Sequence, residues 1–382
     1  MSNKIYPIGI QNFEKIRQDG YFYVDKTALM YQMVKTGSYY FLSRPRRFGK
    51  SLLISTLEAY FQGKKELFTG LMVEKLEKDW IEHPILHLDL NIEKYDALES
   101  LDNILDKSLT AWEKLYGAEP SERSFSLRFA GIIERACQKT GQRVVILVDE
   151  YDKPMLQAIG NEDLQKQFRD TLKPFYGALK TMDGCIKFAL LTGVTKFGKV
   201  SVFSDLNNLK DISMDERFVD ICGITEKEIH DNLEEELHQL AEKQKMSYEQ
   251  VCAELKECYD GYHFMEHTIG IYNPFSLLNT FDKMKFGSYW FETGTPTYLV
   301  NLLKKHHYDL ERMAHEETDE QVLNSIDSES SNPIPVIYQS GYLTIKGYDE
   351  EFGIYRLGFP NREVEEGLSV SYFLIMRTSI RW

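Results

Sequence analysis

Gly49-Lys50-Ser51 closes the stretch Arg44-Pro45-Arg46-Arg47-Phe48, at the point where an apolar run gives way to a helical pattern. A phosphate-binding loop has glycine, four residues, glycine, lysine, then serine or threonine at such a junction. The helix start offers unpaired N–H groups and the positive end of a dipole to phosphate. Lys50 would reach the β and γ phosphates, and Ser51 would ligate Mg²⁺. Arg46, Arg47, Phe48 and Gly49 complete the candidate nucleotide cradle. Arg44 stands where the first glycine would be. Taken alone, the same residues also describe a basic strand-to-helix turn.

A second constellation follows the run Val144-Val145-Ile146-Leu147-Val148, which ends in Asp149-Glu150. A strand ending in two acids puts carboxylates at the C-terminal edge of a sheet, where ligands of α/β folds bind. Asp149 would hold Mg²⁺ directly or through water, and Glu150 would polarise an attacking water. The alternative is a solvated acidic turn. Both motifs, in this order and each on its expected element, point together to a nucleotide. Thr192, in Thr192-Gly193-Val194-Thr195, ends the next apolar run. It would sense the γ-phosphate or position water, or else satisfy backbone groups in a turn. Arg46 and Arg47 have three open roles: phosphate, a partner, or solvent. The histidines and cysteines make no metal pattern, and no Ser-His-Asp or Cys-His set can be argued from spacing.

The elements that must position these residues alternate. Ser38-Tyr39-Tyr40-Phe41-Leu42, Ile85 to Leu90, Val144 to Val148 and Phe188 to Leu191 are continuous apolar runs, which suit strands buried on both faces. Leu52, Leu53, Thr56, Leu57, Tyr60 and Phe61 recur at helical spacing, with Gly63 as a stop. This is the β-α-β order of a parallel sheet with helices on both faces. From Thr225-Glu226-Lys227-Glu228, a capping box, the chain reads as mainly helical to about residue 325. The acidic, serine-rich stretch 318–331 reads as a surface loop or hinge. Val336 to Ile345 and Tyr355 to Leu357 read as strands.

The chain has 382 residues, 43% hydrophobic and 27% charged, enough for two domains or one large core with an appendage. Lys plus Arg is 45 against 59 Asp plus Glu, a net charge of −14, which excludes a uniformly basic nucleic-acid coat. Five cysteines, an odd number, argue for free thiols in a reducing compartment. No apolar run approaches the roughly 20 residues that span a bilayer, and the first residues lack a signal-peptide pattern. The sequence reads as cytoplasmic and without a membrane partner.

At this point the chain resembles the predicted AAA-ATPase-like family of bacteria, in which an atypical P-loop ATPase is usually followed by a PD-(D/E)XK nuclease-like domain. The likeness is carried by Pro7-Ile8-Gly9-Ile10-Gln11, Tyr23-Val24-Asp25-Lys26-Thr27, Arg44 through Ser51, Leu147 through Pro154 and Leu191 through Phe197. It continues in Tyr259-Asp260-Gly261-Tyr262, Tyr272 through Ser276 and Gln339 through Leu343, to about residue 367. The Arg-Pro-Arg-Arg-Phe-Gly-Lys-Ser form is typical of that group. The resemblance implies ATP binding, a Walker A loop, and an ASCE-type P-loop sheet with the Walker B strand beside the P-loop strand.

The expected organisation is an AAA-ATPase-like domain over 1–224, a helical lid over 225–325, a small β-containing segment over 326–367 and an atypical tail over 368–382. The lid is expected to pack near the nucleotide edge and close on ATP. A nuclease-like domain would need an Asp and a Glu-x-Lys on neighbouring strands. Glu254-Leu255-Lys256 falls in a predicted helix and reads as solvated charge. From Leu368 the family pattern stops. The favoured reading is a reading-frame shift after Glu366, against an ordinary C-terminal helix or strand, or a natural short member. It leaves Val370, Tyr372, Phe373, Leu374 and Ile375 without an evolved surface to bury them.

The leading expectation is an ATP-binding protein that hydrolyses slowly, with Mg²⁺, and uses nucleotide state as a switch. One rival is a non-hydrolysing nucleotide-binding scaffold. Another handles nucleic acid through a patch of Arg46, Arg47, Lys64 and Lys65. Protein or DNA partners, the oligomeric state and the base preferred are left open.

Overall fold

The computed structural model describes residues 4–196, 202, 203, 206–293, 299, 303, 313–324 and 332–379, with side chains as far as Val370. Among the described residues, five strands form a parallel sheet: β1 (Tyr39–Ser43), β2 (Ile85–Asp89), β3 (Val144–Asp149), β4 (Ile186–Gly193) and β5 (Lys210–Asp211). Their order is β2-β3-β4-β1-β5. The four apolar runs of the sequence are therefore the four longer strands. Their residues alternate between two cores: Tyr40, Leu42, Val145 and Leu147 on one face, Tyr39, Phe41, Val144 and Ile146 on the other. Both faces are covered, which is why these positions are apolar or aromatic. The expected α/β class, a parallel sheet with helices on both faces, is the fold of this chain.

One expectation about this sheet fails. The strand ending in Asp149-Glu150, β3, does not lie beside β1, which leads into the Gly49-Lys50-Ser51 turn, because β4 is inserted between them and pairs with both. Thr192, near the end of β4, consequently stands between the two motifs.

Helices α1 (Phe13–Gln18) and α2 (Thr27–Thr36) precede β1, and α3 (Lys50–Phe61) follows it. Leu53, Leu57 and Phe61 of α3 enter the first core, together with α4 (Met72–Leu76). On the opposite face lie α5 (Glu99–Tyr116), α6 (Phe125–Thr140), α7 (Lys153–Gln157) and α8 (Glu162–Thr181). Leu105, Ile132 and Phe168 carry that packing.

Beyond the sheet, the short β6 (Ile224–Thr225) leads into α9 (Glu226–Gln244), then α10 (Tyr248–Tyr259), β7 (Ile271–Tyr272), α11 (Pro274–Lys283) and α12 (Tyr289–Glu292). The capping box is formed as the sequence indicates. The Thr225 backbone N–H donates to Glu228 Oε2 at 2.8 Å, and the Glu228 N–H donates to Thr225 Oγ1 at 3.2 Å. Leu233, Leu237, Val251, Leu255 and Phe281 give this region a core of its own. Lys256 pairs with Glu226, and Glu254 with Arg362, so the Glu-x-Lys of α10 holds helices together.

The C-terminal part is a three-stranded antiparallel sheet, β8 (Glu316–Asp319), β10 (Ile354–Gly358) and β9 (Thr344–Asp349), with α13 (Glu320–Asn324), α14 (Ile334–Gln339) and α15 (Arg362–Ser379). Two expectations are corrected here. Residues 318–324 of the expected loop are the end of a strand and a helix, because β8 pairs with β10 along its length and buries Thr318. Residues 336–339 are helical, not extended, with Pro335 in the first turn of α14, where a missing N–H is tolerated. Residues 325–331 and Phe197 lie outside the described residues. Helix α15 runs unbroken past Leu368, which is buried, while Val370 is 61% exposed. The side chains of Tyr372, Phe373, Leu374 and Ile375 lie outside the described residues.

Candidate nucleotide site

At the end of β1 the chain must turn sharply before α3 begins. Gly49 makes that turn with φ +98°, which glycine adopts freely. No side chain caps the helix start, so its first N–H groups remain open to an anion. Arg46, Arg47, Gly49, Lys50 and Ser51 line one cleft of about 340 Å³, and Glu150 faces them from the end of β3. The rest of the lining comes from distant sequence: Pro7 to Gln11, Asn91 after β2, Phe275 and Leu278 of α11, and Thr293. A second, apolar pocket of about 100 Å³ adjoins it and shares Pro7, Leu52, Pro274 and Leu278.

Lys50 is only 4% exposed. Its Nζ donates to the Arg44 carbonyl at 3.1 Å and the Pro45 carbonyl at 3.3 Å, and lies 3.5 Å from Glu150 Oε1. The ammonium is held at the base of the loop, between the cradle and the acidic pair. Glu150 has φ +55°, a left-handed backbone that orients its carboxylate toward the cleft.

Asp149 and Thr192 sit one layer behind. Asp149 Oδ1 accepts from Thr192 Oγ1 at 2.6 Å and from the Glu150 N–H at 3.1 Å. Thr192 is fully buried, so it orients Asp149 and does not reach the cleft. Three residues on, Asp152 repeats the device and is also fully buried. It accepts from the N–H of Val194 at 3.3 Å, the N–H of Thr195 at 2.6 Å and Thr195 Oγ1 at 2.8 Å. Burial, with the charge of Glu150 second, pushes the Asp152 carboxyl up to about 7. A side chain at Gly193 would stand 2.5 Å from Asp152 Oδ1, so only glycine permits this approach. The two rungs Asp149–Thr192 and Asp152–Thr195 fix the mouth of β4 against β3.

Two residues of the loop face away from the cleft. Arg44, in the place of the first glycine, is 1% exposed. Its guanidinium donates to the carbonyls of Ser43 at 2.9 Å, Ser213 at 2.8 Å and Phe218 at 3.1 Å, and stacks 4.0 Å from the Phe264 ring. Phe48 is equally buried and packs edge-on against Tyr262 at 4.8 Å. Its ring is a core anchor, and only its backbone belongs to the cradle.

Sequence reasoning missed the third support. Trp290 Nε1 donates to the Arg46 carbonyl at 3.0 Å, and the Trp290 N–H donates to Glu363 Oε1 at 2.8 Å. Ser276 Oγ donates to the same carboxylate oxygen at 3.0 Å. Burial pushes the Glu363 carboxyl up to about 7. The loop is thereby tied through α12 to the first turn of α15. Pro7 to Gln11 and Tyr272 to Ser276 were visible as motifs, but without a role. Asn91 had a usable signal, since it directly follows a strand at the carboxyl edge of the sheet.

The model of the Predicted AAA-ATPase family matches residues 7–203, the whole span from the first cleft wall to the end of β4 and beyond. An uncharacterized protein in the vnfD 5′ region of Azotobacter chroococcum mcd 1 is 39% identical over 379 residues, covering 98% of this chain and 71% of that protein. Among solved structures, the Aeropyrum pernix ORC2 protein, in ADPNP-ADP complexes, aligns over 90% of this chain and 92% of its own at 9% identity and TM-score 0.30. Among the described residues, no helix is long and apolar enough to cross a membrane. With over half of its length under the family model and a relative this similar along nearly all of it, the chain is a P-loop nucleotide-binding protein and belongs to the Predicted AAA-ATPase family.

Proposed function

We propose that the protein binds ATP with Mg²⁺ in the cleft at 44–51 and hydrolyses it slowly, using nucleotide state to bias the helical region that forms part of the cleft wall. The observation that carries this reading is the convergence of Lys50, Ser51 and Glu150 on one cleft at an uncapped helix start. The phosphates would lie along the loop, and the base would enter the adjoining apolar pocket. Lys50 would exchange its carbonyl partners for phosphate oxygens, a stronger charge-assisted contact. That exchange would loosen its hold on Glu150, whose carboxylate would then accept a proton from the attacking water.

The residues present fit Mg²⁺. Thr192 and the Glu150 N–H occupy one oxygen of Asp149, and Ser51 lies across the loop. Among the described residues, no three or more His, Cys, Asp or Glu side chains form a metal cage. Mg²⁺ characteristically takes one or two protein ligands and completes its shell with phosphate and water. The ion would neutralise charge on the phosphates.

The helical region over 225–325 serves as the lid in this reading, since Phe275, Leu278 and Thr293 stand on the cleft wall. Calorimetry and steady-state turnover on the pure protein test it. Asp149→Asn is expected to weaken Mg-dependent binding. Glu150→Gln is expected to keep binding and lose turnover, because an amide accepts no proton. A wild type without turnover even beside candidate partners, or a Glu150→Gln protein as fast as wild type, overturns the ATPase reading. Binding without turnover would leave the nucleotide-binding scaffold.

A further inference from the structure

The loop carries three arginines, and the structure gives them three different fates. Arg44 is buried, and its guanidinium is engaged by carbonyls. Arg46 is fixed through its own carbonyl by Trp290, and its guanidinium lies 5.8 Å from the same indole ring. Arg47 lines the cleft, and its guanidinium lies 5.1 Å from the ring of Phe275. Its side chain thereby joins the loop to α11.

The backbone at Arg47 is unusual as well. Its φ is +66°, in the left-handed region. Glycine would take that conformation freely, whereas an L side chain costs about 1–2 kcal/mol there. Glu150, at φ +55°, is the other non-glycine residue of the cleft lining with this backbone. Such conformations persist where the surrounding structure over-determines them, and they cluster at functional sites. Here two of them line the same cleft, one cationic and one anionic.

We infer that Arg47 is a catalytic residue: the cation that stabilises the phosphoryl group during transfer, supplied by the P-loop of the same chain. The inference rests on the ATPase reading above. Water oxygen forms a bond to the γ-phosphorus while the bond from that phosphorus to the β–γ bridging oxygen breaks. The water proton passes to Glu150, and the products are ADP and inorganic phosphate. Arg47 makes and breaks no covalent bond. Its guanidinium donates to the phosphoryl oxygens as charge shifts, a contact worth more in the transition state than in the bound substrate. The ring of Phe275 holds the guanidinium over the cleft by cation–π attraction. Because the cation belongs to the same chain, turnover per molecule requires no second copy.

The test compares wild type with Arg47→Ala, Arg47→Lys and Arg47→Gly. The glycine variant removes the guanidinium while relieving the backbone, so it remains informative if the alanine variant folds poorly. ATP affinity with Mg²⁺ is read by calorimetry, and kcat over about a hundredfold range of protein concentration. Loss of one such donor lowers kcat by about 10²–10³. The expected result is that loss for Ala and Gly, a smaller loss for Lys, ATP affinity within about threefold of wild type, and a wild-type kcat flat with concentration. A variant that weakens ATP binding with kcat unchanged makes Arg47 a ground-state contact and overturns the inference. So does a wild-type kcat that climbs with concentration while Arg47→Ala hydrolyses normally. A wild type that binds ATP without turning it over removes the ATPase reading, and the role of Arg47 with it. A wild type that hydrolyses while Arg47→Gly keeps its rate removes Arg47 alone.

Discussion

The two sides of the loop at 44–51 use the same kinds of residue for different ends. On the cleft side, Arg47, Lys50 and Ser51 stand where a ligand can compete for them. On the far side, Arg44, the Arg46 carbonyl and, through Trp290, the Glu363 carboxylate are buried and paired within the protein. A guanidinium facing an open cleft is available to a ligand, whereas one surrounded by carbonyls is a fastening. The difference lies in how much hydrogen-bonding capacity the fold has already taken up. It predicts that damage to the far side is felt as lost stability, and damage to the cleft side as lost affinity at Lys50 or lost turnover at Arg47.

The sharpest way to break this contrast is Arg44→Ala. It leaves several buried carbonyls without donors and opens a cavity, and is expected to lower unfolding free energy by about 3–5 kcal/mol. Arg44→Met, which keeps much of the volume, is expected to lose less. Urea denaturation reads both, and an Arg44→Ala midpoint equal to wild type would make the far side dispensable. Next is the pH dependence of stability. Burial raises the Glu363 carboxyl from 4.5 to about 7, and that of Asp152 from 3.8 to about 7. In that window the folded state binds more protons than the unfolded chain. Their contribution is therefore complete at low pH and lost as pH rises through about 7. For Glu363 the loss is on the order of 3 kcal/mol. Urea midpoints at about pH 5 and pH 8 are expected to decline, and Glu363→Gln to flatten the decline, leaving the share of Asp152. An unchanged slope in that variant would remove Glu363 from the fastening. The smallest effect, and the one that defines the cleft side, is Lys50→Ala. Loss of a charge-assisted contact worth about 1.5–3 kcal/mol is expected to weaken ATP binding at least tenfold in calorimetry, with the protein still folded. Unchanged affinity would leave the cleft without its central cation.

The same contrast explains what could be read in the sequence. Strands β1 to β4 were legible because burial on both faces leaves continuous apolar runs, and α3 because its buried stripe keeps the helical period. The cleft side was legible because Gly49-Lys50-Ser51 and Asp149-Glu150 are contiguous in sequence. The far side left no such trace. Arg44 finds its partners about 170 residues away, and Trp290 reaches a carbonyl 244 residues earlier. Nothing in the local pattern distinguishes a buried arginine from a solvated one. Asp152 is one acid among several in Asp149-Glu150-Tyr151-Asp152, and its burial depends on Gly193, a residue of the neighbouring strand. The strand β8 was hidden because its residues, Glu316 to Asp319, are those of a solvated loop, and only pairing with β10 makes them a strand.

The long reach of the far-side contacts also bears on the order in which the molecule is made. Closing a loop loses entropy that grows with its length, and contacts distant in sequence form late. A chain emerging from the ribosome has every residue of the 44–51 motif long before it has Ser213, Phe218 or Trp290. A nascent chain ending at residue 203, where the family match ends, would carry the phosphate motif without those three anchors. The bonds that fasten the loop can form only once Ser213, Phe218 and, last, Trp290 have been synthesised. The fastenings of the nucleotide cleft are thus among the later contacts available to the chain, although its signature is among the first parts to appear.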